Sequence, residues 1–163
     1  MVMVEVGTNV KLVTPLKNRT ETEIQRGYIL ILNRIRATGI TPQCHILDNE
    51  CSKSMKTLIR QHCALKIVPP HCHRRNVADV ATKSLKQHFL SIIAGVSTDL
   101  PMYQWERLLP QDKLTLNLLR QSNTTPTVFA YTEMFRPFNY NIISLDLMGC
   151  DVLIHENSNA RAT

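Results

Sequence analysis

The spacing of apolar residues predicts that the chain opens with a β-hairpin. Two runs rich in β-branched and aliphatic residues, Val2–Val6 and Val10–Leu16, enclose the turn residues Gly7, Thr8 and Asn9. Short strands on either side of such residues are typical of a tight hairpin. The first of these strands begins almost at the first residue, with no segment leading into it.

A helix is expected directly after this hairpin. Thr20 is a suitable N-cap residue, and Glu21 and Glu23 suit the positive end of a helix. Gly39 is expected to end the helix. Apolar residues recur at helical spacing between these two signals, at Ile24, Tyr28, Ile31, Leu32 and Ile35.

The middle of the chain alternates short strands with helices. Cys44–Leu47 and Leu65–Val68 are predicted strands, and Ser52 caps a helix between them. A long helix is predicted over Val77–Gly95, with Asn76 as its cap. Its apolar face is expected to comprise Val77, Val80, Ala81, Leu85, Phe89 and Ile92.

Two more helical segments are expected before a polar end. Met102–Arg120 is predicted to be helical with a kink at Pro110, and Thr127–Phe135 is a further short helix. Asp151–His155 reads as a terminal strand or an extended arm. The order β-β-α-β-α-β-α-α predicts an α/β domain over residues 1–155, with a mixed sheet flanked by helices, and a polar tail over residues 156–163.

Composition places the chain among ordinary globular domains. It has 163 residues, of which 44% are hydrophobic, with only 5 Gly and 8 Pro, so a disordered or collagen-like chain is excluded. No apolar run approaches the roughly 20 residues that a membrane span needs, and we expect no membrane partner. The net charge of +6 suits a polyanionic partner, first of all nucleic acid.

The cysteines and histidines indicate a reducing compartment more than a metal site. The chain has 5 cysteines, an odd number, and no signal-peptide pattern, so we expect free thiols and an intracellular protein. Two short segments contain residue types that bind zinc, His62-Cys63 and His71-Cys72-His73. They lack the paired ligand spacing of structural zinc sites, so ordinary surface and core roles are the better interpretation.

The first candidate for chemistry is the carboxylate of Asp48. It follows a predicted buried strand directly, which places it at the sheet edge where α/β proteins bind ligands. The alternative is a plain turn, because Asp48, Asn49 and Glu50 are all turn formers.

The second candidate is a charged face on the long helix. Lys83 and Lys86 follow Asp79 at intervals of four and seven residues, so the three side chains fall within about 60° around the helix axis. An acid that holds a metal, beside lysines that hold phosphates, suits a phosphodiester site. The alternative is structural: Asp79 complements the helix dipole and pairs with Lys83.

Together these residues resemble a known family. Asp48 at a strand end, then Pro69-Pro70, then Asn76-Val-Ala-Asp79 with lysines at +4 and +7, resembles the catalytic core of retroviral and retrotransposon integrases. The resemblance continues towards copia-type elements such as those of diatoms and related protists, and it spans about Val2 to His155. The supporting motifs are Val13-Thr-Pro-Leu-Lys17, Trp105, Thr115-Leu-Asn-Leu-Leu-Arg-Gln-Ser122, Thr125-Pro126, Phe135 and Gly149-Cys-Asp-Val-Leu-Ile-His155.

The resemblance implies an RNase H-like fold and a set of three acids that binds two divalent metals, Mg²⁺ or Mn²⁺, for DNA integration. Asp48 matches the second acid, and Asp79 matches the position of the third, which is Glu in the family. DNA is the implied partner, with Arg74, Arg75, Lys83 and Lys86 as contacts. The nucleus is the implied location, and a homo-oligomer is compatible with it.

Two departures from the family predict a defective, truncated core. Asp79 is one methylene shorter than Glu, and misplacement by about 1 Å can cost roughly a hundredfold in rate. The strand that carries the family's first acid has no counterpart here, and Glu5 lies on the wrong strand to replace it. We therefore expect no integration activity, and open edges on the hairpin and the Cys44–Asp48 strand unless the two pair directly.

Two other functions stay open at the level of sequence. A non-catalytic nucleic-acid-binding α/β domain would keep the basic helix without turnover. A cysteine–histidine metal protein is the weaker alternative.

Overall fold

The computed structural model describes residues 1–47, 51–69, 77–96, 100–143 and 145–146, and it confirms a mixed α/β protein with helices flanking small sheets. None of the described helices combines the length and the apolar character needed to cross a membrane. In chain order the elements are β1 (Val2–Glu5), β2 (Val10–Val13), α1 (Glu21–Ala37), β3 (Cys44–Leu47), α2 (Lys53–Arg60), β4 (Ala64–Ile67), α3 (Val77–Gly95), a 3₁₀ helix (Met102–Leu108), α4 (Leu109–Leu118) and α5 (Ala130–Met134).

The described strands form two separate two-stranded sheets in place of the single mixed sheet that was expected. β1 and β2 pair antiparallel, with Val2 opposite Val13. β3 and β4 pair in parallel, with Cys44 opposite Ala64. No ladder between described residues joins β1 to β3, so the expected alternative of direct pairing is not realised.

The edge of β1 that faces away from β2 is open. Met1 and Thr14 exchange backbone hydrogen bonds of 2.7 and 3.1 Å. Because such pairs alternate along an antiparallel ladder, the backbone groups of Val2 and Val4 point away from β2. No hydrogen bond reaches these outward groups from the rest of the described chain.

No strand within the described residues pairs with the edge of β3 that faces away from β4. The carbonyls of Gln43 and Leu47 accept hydrogen bonds from the β4 side, from Ala64 at 3.0 Å and Val68 at 2.8 Å. The intervening residues Cys44 and Ile46 therefore direct their backbone groups to the opposite side. Both edges agree with the prediction of unpaired edges on the hairpin and on this strand.

Helix α1 joins the two sheets into one packed structure. Ile31 and Ile35 lie in a buried cluster with Val10 and Leu12 of β2, while Tyr28 and Leu32 pack with the second sheet and α2. The predicted apolar face of α1 is thereby confirmed, with Ile24 only partly buried. Residues that complete the two clusters are Ala130, Met134, Leu47, Met55, Ile59 and Leu65.

The ends of α1 follow the predicted signals in part. Gly39 adopts φ of +86° just beyond the last helical residue, a conformation in which glycine avoids the strain of a side chain. Thr20 occupies the N-cap position, but its side chain makes no capping hydrogen bond and instead donates to the Asn18 Oδ1 at 2.5 Å.

Ser52 caps α2 as predicted, because its Oγ accepts from the Met55 N–H at 3.2 Å. We expect Ser52→Ala to lower the free energy of unfolding by about 1 kcal/mol, measured by urea denaturation. Thr20→Ala is the matched control, since the Thr20 side chain makes no capping bond, and it should change stability by less than about 0.5 kcal/mol. Equal losses in the two variants would contradict this assignment.

Three predicted elements differ from the structure. The apolar face of α3 is wrong in its first turn: Val77 and Val80 are 48% and 60% exposed, and burial begins at Ala81, where the helix packs against β1 and α4. β2 ends at Val13, short of Leu16, because Pro15 has no N–H to donate to a ladder. The last described helix is confined to Ala130–Met134.

The segment around Pro110 is helical, as predicted, but it divides differently. A 3₁₀ helix ends at Leu108 and α4 follows directly, with Pro110 in its first turn. Proline is tolerated there because the first N–H groups of a helix have no partner within it. The predicted kink is therefore a change of helix type. The predicted cap Asn76 and the Asp151–His155 strand lie outside the described residues.

Candidate functional site

Helix α3 presents one buried and one charged face. Ala81 and Leu85 are buried, while Asp79, Lys83 and Lys86 are exposed on the opposite side. The predicted charged face is thus present on the helix surface. Among the described residues, no ion pair joins Asp79 to Lys83, so the structural alternative of an i,i+4 pair is not realised and the two lysines face solvent.

The structure does not describe the other three predicted site residues. Asp48, Arg74 and Arg75 lie outside the described residues. β3 ends at Leu47, whose carbonyl is held by the Val68 N–H, so the ladder extends to the residue before Asp48. Whether the carboxylates of Asp48 and Asp79 converge stays a prediction.

The residues that are described do not form a magnesium site. Within residues 1–47, 51–69, 77–96, 100–143 and 145–146, no group of three or more His, Cys, Asp or Glu side chains could hold a metal ion. Asp79 supplies one exposed carboxylate by itself, whereas Mg²⁺ prefers several oxygen ligands in octahedral geometry. No step through a metal follows from this arrangement.

Glu5, the only acid on β1, is occupied by the hairpin turn. Its carboxylate accepts hydrogen bonds from the N–H of Gly7 at 3.1 Å and from the N–H and hydroxyl of Thr8 at 2.6 Å each. Partial burial raises the pKa of Glu5, and these hydrogen bonds outweigh burial and lower it overall. Glu5 therefore stabilises the turn and presents no free carboxylate to a site.

The zinc alternative gains no support from the described part of the chain. The thiols of Cys44, Cys51 and Cys63 are free, and no metal-binding cluster includes them. The Nδ1 of His62 lies 3.4 Å from the Nη2 of Arg36, so its nearest polar partner is a cation. His71, Cys72 and His73 lie outside the described residues.

A buried acid on α4 was not foreseen from the sequence. Asp112 has no exposed surface, and neither carboxylate oxygen has a hydrogen-bond partner among the described residues. The Nε2 of His88 on α3 lies 3.9 Å from the Asp112 Oδ1, too far for a hydrogen bond. Burial raises the pKa of Asp112 to about 6.

His88 is held by a hydroxyl on the same helix as this acid. Its Nε2 lies 2.7 Å from the Oγ1 of Thr115. The Thr115 hydroxyl also lies 2.9 Å from the Gln111 carbonyl, to which it can donate. Which group donates in the contact with His88 depends on the tautomer of the imidazole. Burial, and secondly the charge of Arg120, lower the pKa of His88. The pair links α3 to α4, but no substrate reaches a carboxylate that is fully buried.

Asn117 closes the outer edge of β2. Its Oδ1 accepts from the Lys11 N–H at 2.9 Å and its Nδ2 donates to the Lys11 carbonyl at 3.0 Å. The amide side chain thus takes the place of a neighbouring strand, which protects an edge that would otherwise be open. Asn117 is 3% exposed, so both hydrogen bonds are shielded from water.

Lys11 itself is buried on the side of β2 that α4 covers, and it is 3% exposed. Burial, and secondly the charge of Arg120, lower the pKa of Lys11 to about 8. Nothing in the sequence around Lys11 indicates this burial. Asn117 is different, since a lone amide among leucines is a signal that could have marked it.

Comparison with known proteins leaves the resemblance untested. No protein-family model matches the chain, and no curated protein matches it.

Proposed function

We propose that this chain is an integrase-core-like α/β domain that binds DNA through the charged face of α3, and that it has no competent catalytic centre. In this proposal residues 1–155 belong to an RNase H-like core. DNA is its partner and the nucleus its place of action. The alternative is a non-catalytic nucleic-acid-binding α/β domain that is unrelated to integrases. It would bind nucleic acid through the same charged face of α3.

The arrangement of the two sheets supports the proposed fold. In the integrase resemblance, a further strand would lie between the hairpin and the Cys44–Asp48 strand. Apart from that strand, such a core has an antiparallel pair and a parallel pair of strands. The β1–β2 and β3–β4 ladders are one antiparallel and one parallel pair, and α1 packs against both.

The observation that carries the proposed function is the division of α3 into two faces. Ala81 and Leu85 anchor the helix to the protein, while Lys83 and Lys86 stand free on the solvent side. Because lysine acts as a compact point charge, two lysines one turn apart suit neighbouring phosphates without reading the bases. The net charge of +6 adds attraction at longer range.

The acidic residues Asp79 and Glu5 argue against catalytic turnover. Asp79 offers a single carboxylate that is shorter than the Glu of the family, and Glu5 is engaged in the hairpin turn. A metal-dependent displacement needs several carboxylates at fixed separation. We therefore expect binding of DNA without strand transfer.

The binding proposal predicts a loss of affinity when the two lysines are neutralised. Lys83→Gln with Lys86→Gln should weaken binding to a labelled duplex by about tenfold at low salt, because two phosphate contacts are lost. Fluorescence anisotropy measures this. The matched control is Lys53→Gln with Arg60→Gln, which removes the same charge from exposed positions of α2. Equal losses from both double variants would show a general charge effect and contradict a binding face on α3.

The absence of catalysis is tested with the same protein. Wild-type chain with Mg²⁺ and a labelled oligonucleotide substrate should give no cleavage or strand-transfer product above background. Product that forms and disappears in Asp48→Asn would show an active acid set and overturn the claim of inactivity. Product that survives Asp48→Asn would remove the assignment of Asp48.

A further inference from the structure

A groove lies between the end of the hairpin, α3 and the 3₁₀ helix, with a volume of about 380 Å³. This falls within the range of natural ligand pockets, roughly 300–1,000 Å³. Its apolar walls come from three parts of the chain, with Val13 and Leu16 beside the hairpin, Leu85 on α3, and Leu109 at the start of α4. Trp105 and Arg19 also line the groove, together with Met1, Thr14, Pro15 and Asn18.

Trp105 is the single tryptophan of the chain, and it is 42% exposed. Its ring contacts Phe89 of α3 edge-on, with centroids 6.1 Å apart and planes at 77°. The two rings meet edge to face, a contact that orients the indole. A large aromatic ring that is fixed by a neighbour and half exposed in a groove can take a planar group against its surface.

A cationic side chain lines the same groove as this ring. Arg19 is exposed on one wall of the groove, and it forms no ion pair with any residue that the structure describes. The groove therefore joins an aromatic surface to a positive charge.

We propose that this groove binds unpaired nucleotides, with a base stacked on Trp105 and a flanking phosphate held by Arg19. An aromatic ring beside cations is the arrangement by which proteins hold single strands without sequence preference. An acidic peptide would use the charges but would gain little from a flat ring. The inference goes beyond the proposed duplex binding, which uses the charged face of α3 with Lys83 and Lys86.

The sole tryptophan gives a direct readout of the groove. Oligothymidylate titrated into the full chain should quench and saturate the Trp105 fluorescence. Trp105→Leu should weaken binding of labelled oligothymidylate by about tenfold, because one base–aromatic stack is lost, and Arg19→Gln should weaken it about threefold. Tyr103→Leu is the matched control, since Tyr103 is 79% exposed on the same 3₁₀ helix and lies outside the lining; its affinity should stay within about twofold.

Three results would overturn the proposal. The first is saturable binding of the oligonucleotide with no change in Trp105 fluorescence. The second is an equal loss in Trp105→Leu and Tyr103→Leu, with circular dichroism showing that both remain folded. The third is quenching by an acidic peptide and not by the oligonucleotide. In each of these cases, the effect of Lys83→Gln with Lys86→Gln on duplex binding is measured separately. If the double variant still weakens duplex binding, the proposed function stands and only the groove proposal fails.

Discussion

Asn117→Ala is expected to lower the free energy of unfolding by about 3 kcal/mol. The substitution removes both partners of the Lys11 backbone, the acceptor at 2.9 Å and the donor at 3.0 Å. Because Lys11 and Asn117 are each 3% exposed, water does not replace them readily, and two buried backbone groups are left unsatisfied. The loss also reopens the outer edge of β2, so the variant should aggregate more readily on heating.

Asn123→Ala is the matched control for this experiment. Asn123 makes the same kind of contact, from its Nδ2 to the Val6 carbonyl at 2.7 Å, but its side chain is exposed. We expect a loss of less than about 1 kcal/mol, because water can take over the hydrogen bond. Urea denaturation of both variants at one pH gives the comparison. Losses of equal size would show that the Asn117 amide does not act as a substitute strand.

Asp112→Asn is expected to stabilise the protein at pH 8 by about 2 kcal/mol. Burial raises the pKa of Asp112 from 3.8 to about 6, so at pH 8 the native state holds a buried carboxylate with no hydrogen-bond partner among the described residues. A shift of roughly two units corresponds to about 3 kcal/mol of destabilisation when the group is ionised. An amide keeps the shape without the charge and recovers most of that energy.

The dependence on pH identifies the cause. The native state of the wild type retains the Asp112 proton to a higher pH than the unfolded state, so this contribution to stability falls as pH rises from about 4 to 6 and then levels off. His88 acts in the opposite direction: its lowered pKa means that stability falls as pH drops below about 6.5. Asp112→Asn should remove the fall, so stability rises with pH through this range because of His88 and of carboxylates with a lowered pKa such as Glu5.

Asp79→Asn provides the control, since Asp79 is exposed on α3 and its replacement should change stability by less than about 0.5 kcal/mol. Thermal or urea unfolding at pH 5 and pH 8 measures both variants. A destabilised Asp112→Asn protein at pH 8 would contradict the account, because it would mean that the carboxylate makes a favourable contact in the native state.

Local signals predicted the elements well because they act over a few residues. The Gly7–Asn9 turn, the Ser52 cap and the Gly39 terminus each depend on neighbours within one turn of chain. The predicted long helix has the same bounds as α3. Even in α3, Val77 and Val80 are exposed although they belong to the predicted apolar face. The periodicity of apolar residues predicts which face of a helix is buried. It does not predict which part of that face other elements of the protein cover.

Long-range partners account for what the sequence did not predict. Lys11 and Asn117 are 106 positions apart; the lone amide among leucines marks Asn117 as unusual, but nothing near it identifies Lys11 as its partner. Asp112 looks like a surface acid on a helix until α3 covers it. The charged face of Asp79, Lys83 and Lys86 was predictable because the three lie on one helix.

The dependence of duplex DNA affinity on salt tests the central claim most directly, because it counts phosphate contacts. The logarithm of affinity should fall linearly with the logarithm of salt concentration. The slope for Lys83→Gln with Lys86→Gln should be smaller in magnitude than for the wild type by about 2, since each lost contact removes roughly 0.9. The slope for Lys53→Gln with Arg60→Gln should equal that of the wild type. An unchanged slope in the α3 variant would contradict DNA binding through this face.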